Sequence, residues 1–338
     1  MSSAYLGTLE TADPLYSYLV KDVMPKVRLD VRNPVFHVSR LSGSNLVYRY
    51  QESVSQLNLI GKFYTTAEAA KRPKLIGEYH NLRKARALGL TGPPNRVVRP
   101  LASKRSLGLG LMEEYVDGRD LDHYIRRAAF EGRHDRLKDR LSDLAFFLSE
   151  FHKRTTSDFP LSLGRSSDYF DRILLKLAKK GLIDEHLEKV FKKLKEAWLE
   201  RDYMRDDRRV LVHGDATPTN FIFPESRGCI AIDLERMRPD DRMMDVGMIC
   251  GELKHSFLWR TGNKYVSEEH IGHFLSEYAG HFGHPSKVFE SIARRNPFYM
   301  ALTELRIARN SWLDREHRRR LVAEARECLA WGLRLRWA

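Results

Sequence analysis

Three features of the sequence predict an α+β fold in two lobes, a small antiparallel sheet with one main helix followed by a mainly helical lobe. Short alternating apolar segments with turn signals fill the first third of the chain. Helical periodicity dominates after Gly118, and one short β-hairpin interrupts the helices near residues 210–232.

In chain order, residues 12–24 read as a short helix stopped by Pro25. From Pro34, VFHVSRLSGSNLVYRYQ alternates around Ser42-Gly43-Ser44-Asn45, a hairpin signal, and LNLIGKFYTT (57–66) reads as the next strand. Residues 67–89 carry a helical pattern that ends at Gly89 and Gly92-Pro93-Pro94. A strand pair follows, roughly 96–104 and 107–115, closed by Asp117-Gly118. In the second lobe, residues 136–155 place Leu137, Leu141, Leu144, Phe147, Leu148 and Phe151 at helical spacing, and 168–202 form one or two amphipathic helices. The hairpin is VLVHGD, NFIF, the turn PESRG and CIAID; helices resume from about 244. The expected boundaries are a first lobe over 1–112, a hinge over 113–118 and a second lobe over 119–338.

With 338 residues and 42 % hydrophobic composition, the chain can bury a conventional core. Its formal charge of +13 favours anionic partners such as nucleotides, sugar phosphates or nucleic acid, without choosing among them. Cys229, Cys250 and Cys328 stand far apart with no C-x-x-C pair, so reduced, buried thiols are expected rather than disulfides or a zinc knuckle. The N-terminal stretch carries Glu10, Asp13, Lys21 and Asp22 and no apolar core of signal-peptide length, and no run reaches the length of a membrane span. A cytoplasmic protein is expected.

The strongest chemical signal is Leu211-Val-His213-Gly214-Asp215-Ala-Thr-Pro-Thr-Asn220, followed thirteen residues beyond Asn220 by Asp233 in Ile-Asp-Leu-Glu. A hairpin between them would set Asn220 beside Asp233. An amide oxygen next to a carboxylate suits Mg2+, a hard cation that takes few protein ligands. Asp215, at the edge of such a site, could orient an acceptor hydroxyl and take its proton.

HGDATPTN followed by IDLE resembles the H-x-D-x-x-x-x-N and I-D-x-E motifs of the aminoglycoside phosphotransferase and choline kinase group. That group continues into G-D-P-x-x-D-L-A, and here Asp241 and Asp245 fall in register, with Asp240, Arg242 and Val246-Gly247 as the departures. The resemblance implies a bilobal protein-kinase-like fold, ATP and Mg2+ as cofactors, Asp215 as the catalytic base, and Asn220 and Asp233 as metal ligands. Upstream, Lys62 in Gly-Lys-Phe looks like the phosphate-pairing lysine, with Glu78 sixteen residues later as its partner and Glu68 as the alternative. Leu41-Ser42-Gly43-Ser44-Asn45 takes the place of the glycine-rich loop. Glu113, Glu114 and Tyr115 match the strand-to-hinge segment whose backbone faces the adenine edge. Gly108-Leu-Gly110 is read as strand packing alone, and the absence of G-x-x-x-x-G-K-[ST] argues against a P-loop enzyme.

Two features argue against a protein kinase: Thr217 stands where protein kinases keep a lysine, and eleven residues between Asp233 and Asp245 leave no room for an activation segment. A small-molecule hydroxyl acceptor is therefore expected. Residues 294–338 hold eleven Arg, no Lys and five acids, a net charge of +6, which favours a sugar, sugar phosphate or other alcohol over a polycationic aminoglycoside. Trp259, Tyr265 and Trp312 are the candidates for an aromatic cage, although no strong cage pattern is visible. The alternatives are an RNA kinase acting on a ribose hydroxyl, which would use the basic surface, and a non-catalytic nucleotide-binding scaffold. His270, His273, His281 and His284 read as ordinary helix-face histidines.

Overall fold

A computed structural model describes residues 3–27, 31–41, 46–65 and 72–335. The chain divides into two units. One comprises Met1–Gly118 with Ile230–Arg236, and the other Arg119–Cys229 with Met237–Ala338. The return of Ile230–Arg236 to the first unit places Asp233 with Lys62 rather than in the second lobe over 119–338.

In the first unit the described residues form strands β1 (Ser3–Thr8), β2 (Phe36–Leu41), β3 (Leu46–Glu52), β4 (Asn58–Phe63), β5 (Asn95–Val97), β6 (Pro100–Lys104) and β7 (Leu109–Glu114). Six of these make one antiparallel sheet in the order β1-β2-β3-β4-β7-β6. The edge strand β1 was not legible in the sequence. It is short, interrupted by a bulge between Tyr5 and Gly7, and lacks clean alternation. The stretch read as one strand over 96–104 is two: β6 joins the sheet, whereas Val98, just after β5, donates to the carbonyl of Ala231.

Asp13 caps helix α1 (Pro14–Tyr18), accepting from Leu15 N–H at 2.8 Å, with Pro14 in the first turn. The chain then continues through one π-turn and one 3-10 turn to Val27, so Pro25 falls inside a helical segment rather than ending it. Leu15, Leu19, Val23 and Met24 bury against Phe36, Tyr50, Leu59, Leu101, Leu109 and Met112 of the sheet. Each such burial is worth about 1.5–3 kcal/mol.

Helix α2 (Arg72–Ala87) reaches the sheet at β7, where a Cβ on Gly110 would lie 2.5 Å from Leu75 Cβ. The glycine read as strand packing is therefore what lets α2 approach.

The second unit begins with β8 (Arg119–Asp120), α3 (Leu121–Glu131) and α4 (His134–Lys153), followed by α5 (Gly164–Lys179) and α6 (Glu185–Leu199). Strands β9 (Val210–Val212), β10 (Phe221–Phe223), β11 (Cys229–Ala231, its last two residues in the first unit) and β12 (Arg238–Asp240) interrupt the helices. Helices α7 (Met243–Thr261), α8 (Val266–Gly280), α9 (Pro285–Ala308) and α10 (Arg315–Gly332) complete it. All six apolar positions singled out on α4 are buried. Strand β9 pairs with β12 and β10 with β8, both antiparallel, so VLV finds its partner beyond the hairpin rather than within it.

The three cysteines are buried thiols. Among the described residues, no helix is long and apolar enough to cross a membrane.

Candidate active site

In the first unit, β4 lies between β3 and β7, with Lys62 opposite Val47 on one side and Leu111 on the other. The close packing of α2 on Gly110 brings Glu78, one turn beyond Leu75, to the same place. Lys62 Nζ donates to Glu78 Oε1 at 2.6 Å, and both residues are buried. Two further carboxylates stand near the ammonium: Glu113 Oε1 at 3.6 Å and Asp233 Oδ1 at 3.8 Å.

One ammonium cannot neutralise three carboxylates in a poorly solvated site. Burial, added to mutual repulsion, pushes Glu78 up to about 8 and Glu113 up as well, while Lys62 is held protonated against its own desolvation by Glu113, Glu78 and Asp233. The second oxygens of Glu78 and Glu113 are buried without a hydrogen-bond partner.

Asp233 adopts φ 61°, in the left-handed region that few non-glycine residues visit. Its surroundings are fixed by α2, where Asn81 Nδ2 donates to the carbonyl of the next residue, Leu234, at 2.8 Å.

Glu113 entered the sequence reading for its backbone, but the structure brings its side chain to Lys62. The carboxylate of Glu114 pairs with Arg96 and accepts from Arg99 N–H at 2.9 Å. The N–H groups of Glu114 and Tyr115 are already bonded, to the carbonyls of Arg99 and Asn58, and Arg49 stacks 4.7 Å over the Tyr115 ring. Ser42, Gly43, Ser44 and the alternative partner Glu68 lie outside the described residues.

In the second unit, β9 leads into the loop from His213 to Asn220, which buried Asp245 on α7 holds in place. Asp245 accepts from His213 N–H at 2.7 Å and Gly214 N–H at 2.9 Å, and His152 at the end of α4 contacts it at 3.1 Å. Tyr278 holds the other ring nitrogen of His152 at 2.8 Å. Burial alone would raise the Asp245 carboxyl, but His152 and the loop N–H groups outweigh it and keep the group below its usual range. Gly214, at φ 77°, makes the turn that a side chain would strain.

The loop closes on itself: Asn220 Nδ2 donates to the carbonyl of Asp215 at 2.8 Å, and Thr217 N–H does so at 2.7 Å. With the amide nitrogen so held, the amide oxygen of Asn220 is directed away from that bond. This orientation suits a hard cation, as does the Asp233 carboxylate, one-third exposed. Among the described residues, no three His, Cys, Asp or Glu side chains gather as a metal cage.

The Asp215 carboxylate pairs with Arg306 of α9, which also reaches Glu252 of α7 at 3.1 Å. Burial first, and the nearness of Asp215, push Glu252 up to about 7 against the pull of Arg306.

Neither Arg306 nor Glu252 carried a sequence signal. Asp245 did, through motif register, but without a stated task. The other register aspartate, Asp241, is a buried anchor bonded to both oxygens by Arg295 at 3.0 and 2.9 Å and to Tyr299 OH at 2.7 Å. Within the Arg-rich end, Arg318 donates to the Ala308 carbonyl at 2.7 Å, while Arg319 and Arg320 are exposed. His270 is not on an open helix face. It is buried between His134 and Phe257, and burial lowers it to about 4.

The sequence model of the family described as phosphotransferase enzyme family matches residues 37–279. No curated protein matches the chain by sequence. Several solved structures share the fold over nearly the whole chain. An ethanolamine kinase of Plasmodium vivax is 15 % identical with a TM-score of 0.61, covering 94 % of this chain and 90 % of that one. APH(2'')-IIa, in a ternary complex with streptomycin and ATP, is 14 % identical with a TM-score of 0.56 over 95 % and 99 % of the two chains. The choline kinase LicA from Streptococcus pneumoniae is 15 % identical with a TM-score of 0.52 over 92 % and 96 %.

Proposed function

The chain belongs to the phosphotransferase enzyme family, and from that premise we propose that it moves the γ-phosphate of ATP to a hydroxyl of a small-molecule acceptor. In this reading Lys62, steadied by Glu78, grips the α- and β-phosphates. Asn220 and Asp233 hold Mg2+, which when bound screens the phosphate charge. Asp215 orients the acceptor hydroxyl and takes its proton as the oxygen attacks phosphorus.

The observation that carries this reading is the His213–Asn220 loop. Its backbone is anchored at one end by Asp245 and closed at the other by Asn220, so Asp215 stands on a rigid support. Phosphoryl transfer asks the protein for positioning and electrostatics rather than covalent chemistry, and a rigid loop with one carboxylate meets that demand.

For the acceptor we favour a neutral or anionic alcohol, such as a sugar or sugar phosphate, over a polycation. The Asp215 carboxylate already faces the Arg306 guanidinium. Trp259 and Trp312 do meet, with ring centroids 5.8 Å apart, but Arg260 lies 5.5 Å over Trp259 and is anchored on Asp122 at 2.6 Å. A cationic acceptor would have to compete with that arginine.

Asp215→Asn is expected to retain ATP affinity and to lose at least about 10²-fold in turnover. The acceptor comes from a screen of phosphate transfer from labelled ATP to pooled sugars, alcohols and RNA. Near-normal turnover by a folded Asp215→Asn protein would reject the role given to Asp215.

A further inference from the structure

The backbone of the His213–Asn220 loop and the side chain of Asp215 are held by separate devices. Asp245 and Asn220 fix the backbone, but they leave rotation about the Asp215 side-chain bonds to be settled by something else. Arg306 lies 91 residues later in the chain, in the last turn of α9, and bridges Asp215 to Glu252 on α7. The three side chains are only 12–15 % exposed. Tyr169 of α5 faces Arg306, and Asp122 of α3, itself bonded to Arg260, faces Glu252.

An enclosed ion pair adds little net stability, because desolvation offsets most of the attraction. The bridge is better explained by its effect on Asp215. A planar guanidinium makes two directed contacts at once, which an ammonium cannot do.

We propose that Arg306 is a positioning residue for phosphoryl transfer, clamping the Asp215 carboxylate against Glu252 and so fixing the direction from which an acceptor hydroxyl must present its proton. The inference rests on Asp215 as proton acceptor. In the step itself the acceptor oxygen bonds to the γ-phosphorus, the bond from that phosphorus to the ADP oxygen breaks, and the hydroxyl proton passes to Asp215. Arg306 keeps its protons throughout.

The test uses the full chain with Mg2+ and ATP, and water as the acceptor. Arg306→Gln and Arg306→Ala should lower kcat about 10²-fold, the scale of a small misplacement of a reacting group, with KM for ATP unchanged. Arg306→Lys should fall in between, and millimolar methylguanidinium should restore part of the Arg306→Ala rate. A wild-type kcat in Arg306→Ala, or a loss that follows its melting temperature and resists rescue, would overturn the clamp. So would a crystal structure of Arg306→Gln in which Asp215 keeps its rotamer. An active Asp215→Asn control would instead indict the reading of Asp215, whereas an inactive one beside a normal Arg306→Gln would sink the clamp alone.

Discussion

Lys62 stands among carboxylates whose demands differ. Glu78 is a direct partner at 2.6 Å, Glu113 a more distant one buried on β7, and Asp233 a partly exposed one with a strained backbone. Only Asp233 combines a negative charge with access to solvent, which fits a carboxylate that meets a metal and phosphates rather than one that serves the lysine. Asp233→Ala is therefore expected to abolish metal-dependent nucleotide binding. On the proposed reading Asn220→Ala removes a neutral ligand that water can partly replace, and it should cost about tenfold in metal affinity, near the lower end for a disturbed metal site. ATP titrations at low magnesium check both, and wild-type-like curves for the pair would overturn the assignment. The pairing of Lys62 with Glu78 was legible in the sequence, as was the local pattern that sets Asp215 and Asn220 in one loop. The side chain of Glu113 was not, since strand alternation does not say which charged residue will face another strand.

At the scale of elements, close approaches decide the geometry. Gly247 and Gly251 on α7 let α9 come near: a Cβ on Gly247 would stand 2.3 Å from Tyr299 Cβ, and one on Gly251 2.6 Å from Thr303 Cβ. The same two helices carry Glu252, Asp245 and Arg306, so their separation sets the reach of the arginine. Gly247→Ala gains helix propensity but forces backbone to move, and should destabilise by about 1–3 kcal/mol. Gly280→Ala, at the end of α8 with no atom within 4 Å of the new methyl group, is the control and should melt at or above the wild-type temperature. Equal melting temperatures for Gly247→Ala and wild type would show that the crossing can relax. Periodicity sufficed to read α4. The edge strand β1 and the partnership of β9 with β12 escaped it, because neither a bulged six-residue strand nor a pairing across 26 residues leaves a local mark.

For the whole molecule, stability depends on buried acids as well as on the core. Glu304 on α9 is fully buried with both carboxyl oxygens lacking a hydrogen-bond partner, and burial pushes it up to about 8, only partly opposed by Lys254 and Lys264. Its folded-state pKa lies above that of an unfolded glutamate, so the folded protein binds the extra proton. The contribution is fully present below about 4.3, the usual glutamate value, and is lost as pH rises through the folded-state value. Glu304→Gln, which stays neutral, should thus leave the melting temperature nearly unchanged at pH 4 and raise it at pH 8.5. A wild-type-like melting profile across that range would mean that Glu304 finds a compensating partner.

The sequence by itself determined the fold class, the family and the spacing of Asp215, Asn220 and Asp233, because a loop, a strand and a helical stripe are each written in neighbouring residues. Tertiary structure alone decided that Ile230–Arg236 returns to the first unit, that Glu113 joins Lys62 and that Arg306 reaches Asp215. Each of these depends on side chains from elements about 50 to more than 100 residues apart coming within a few ångströms. Such approaches are set by how glycines and large side chains let whole elements pack, and no period of 2 or 3.6 residues records them.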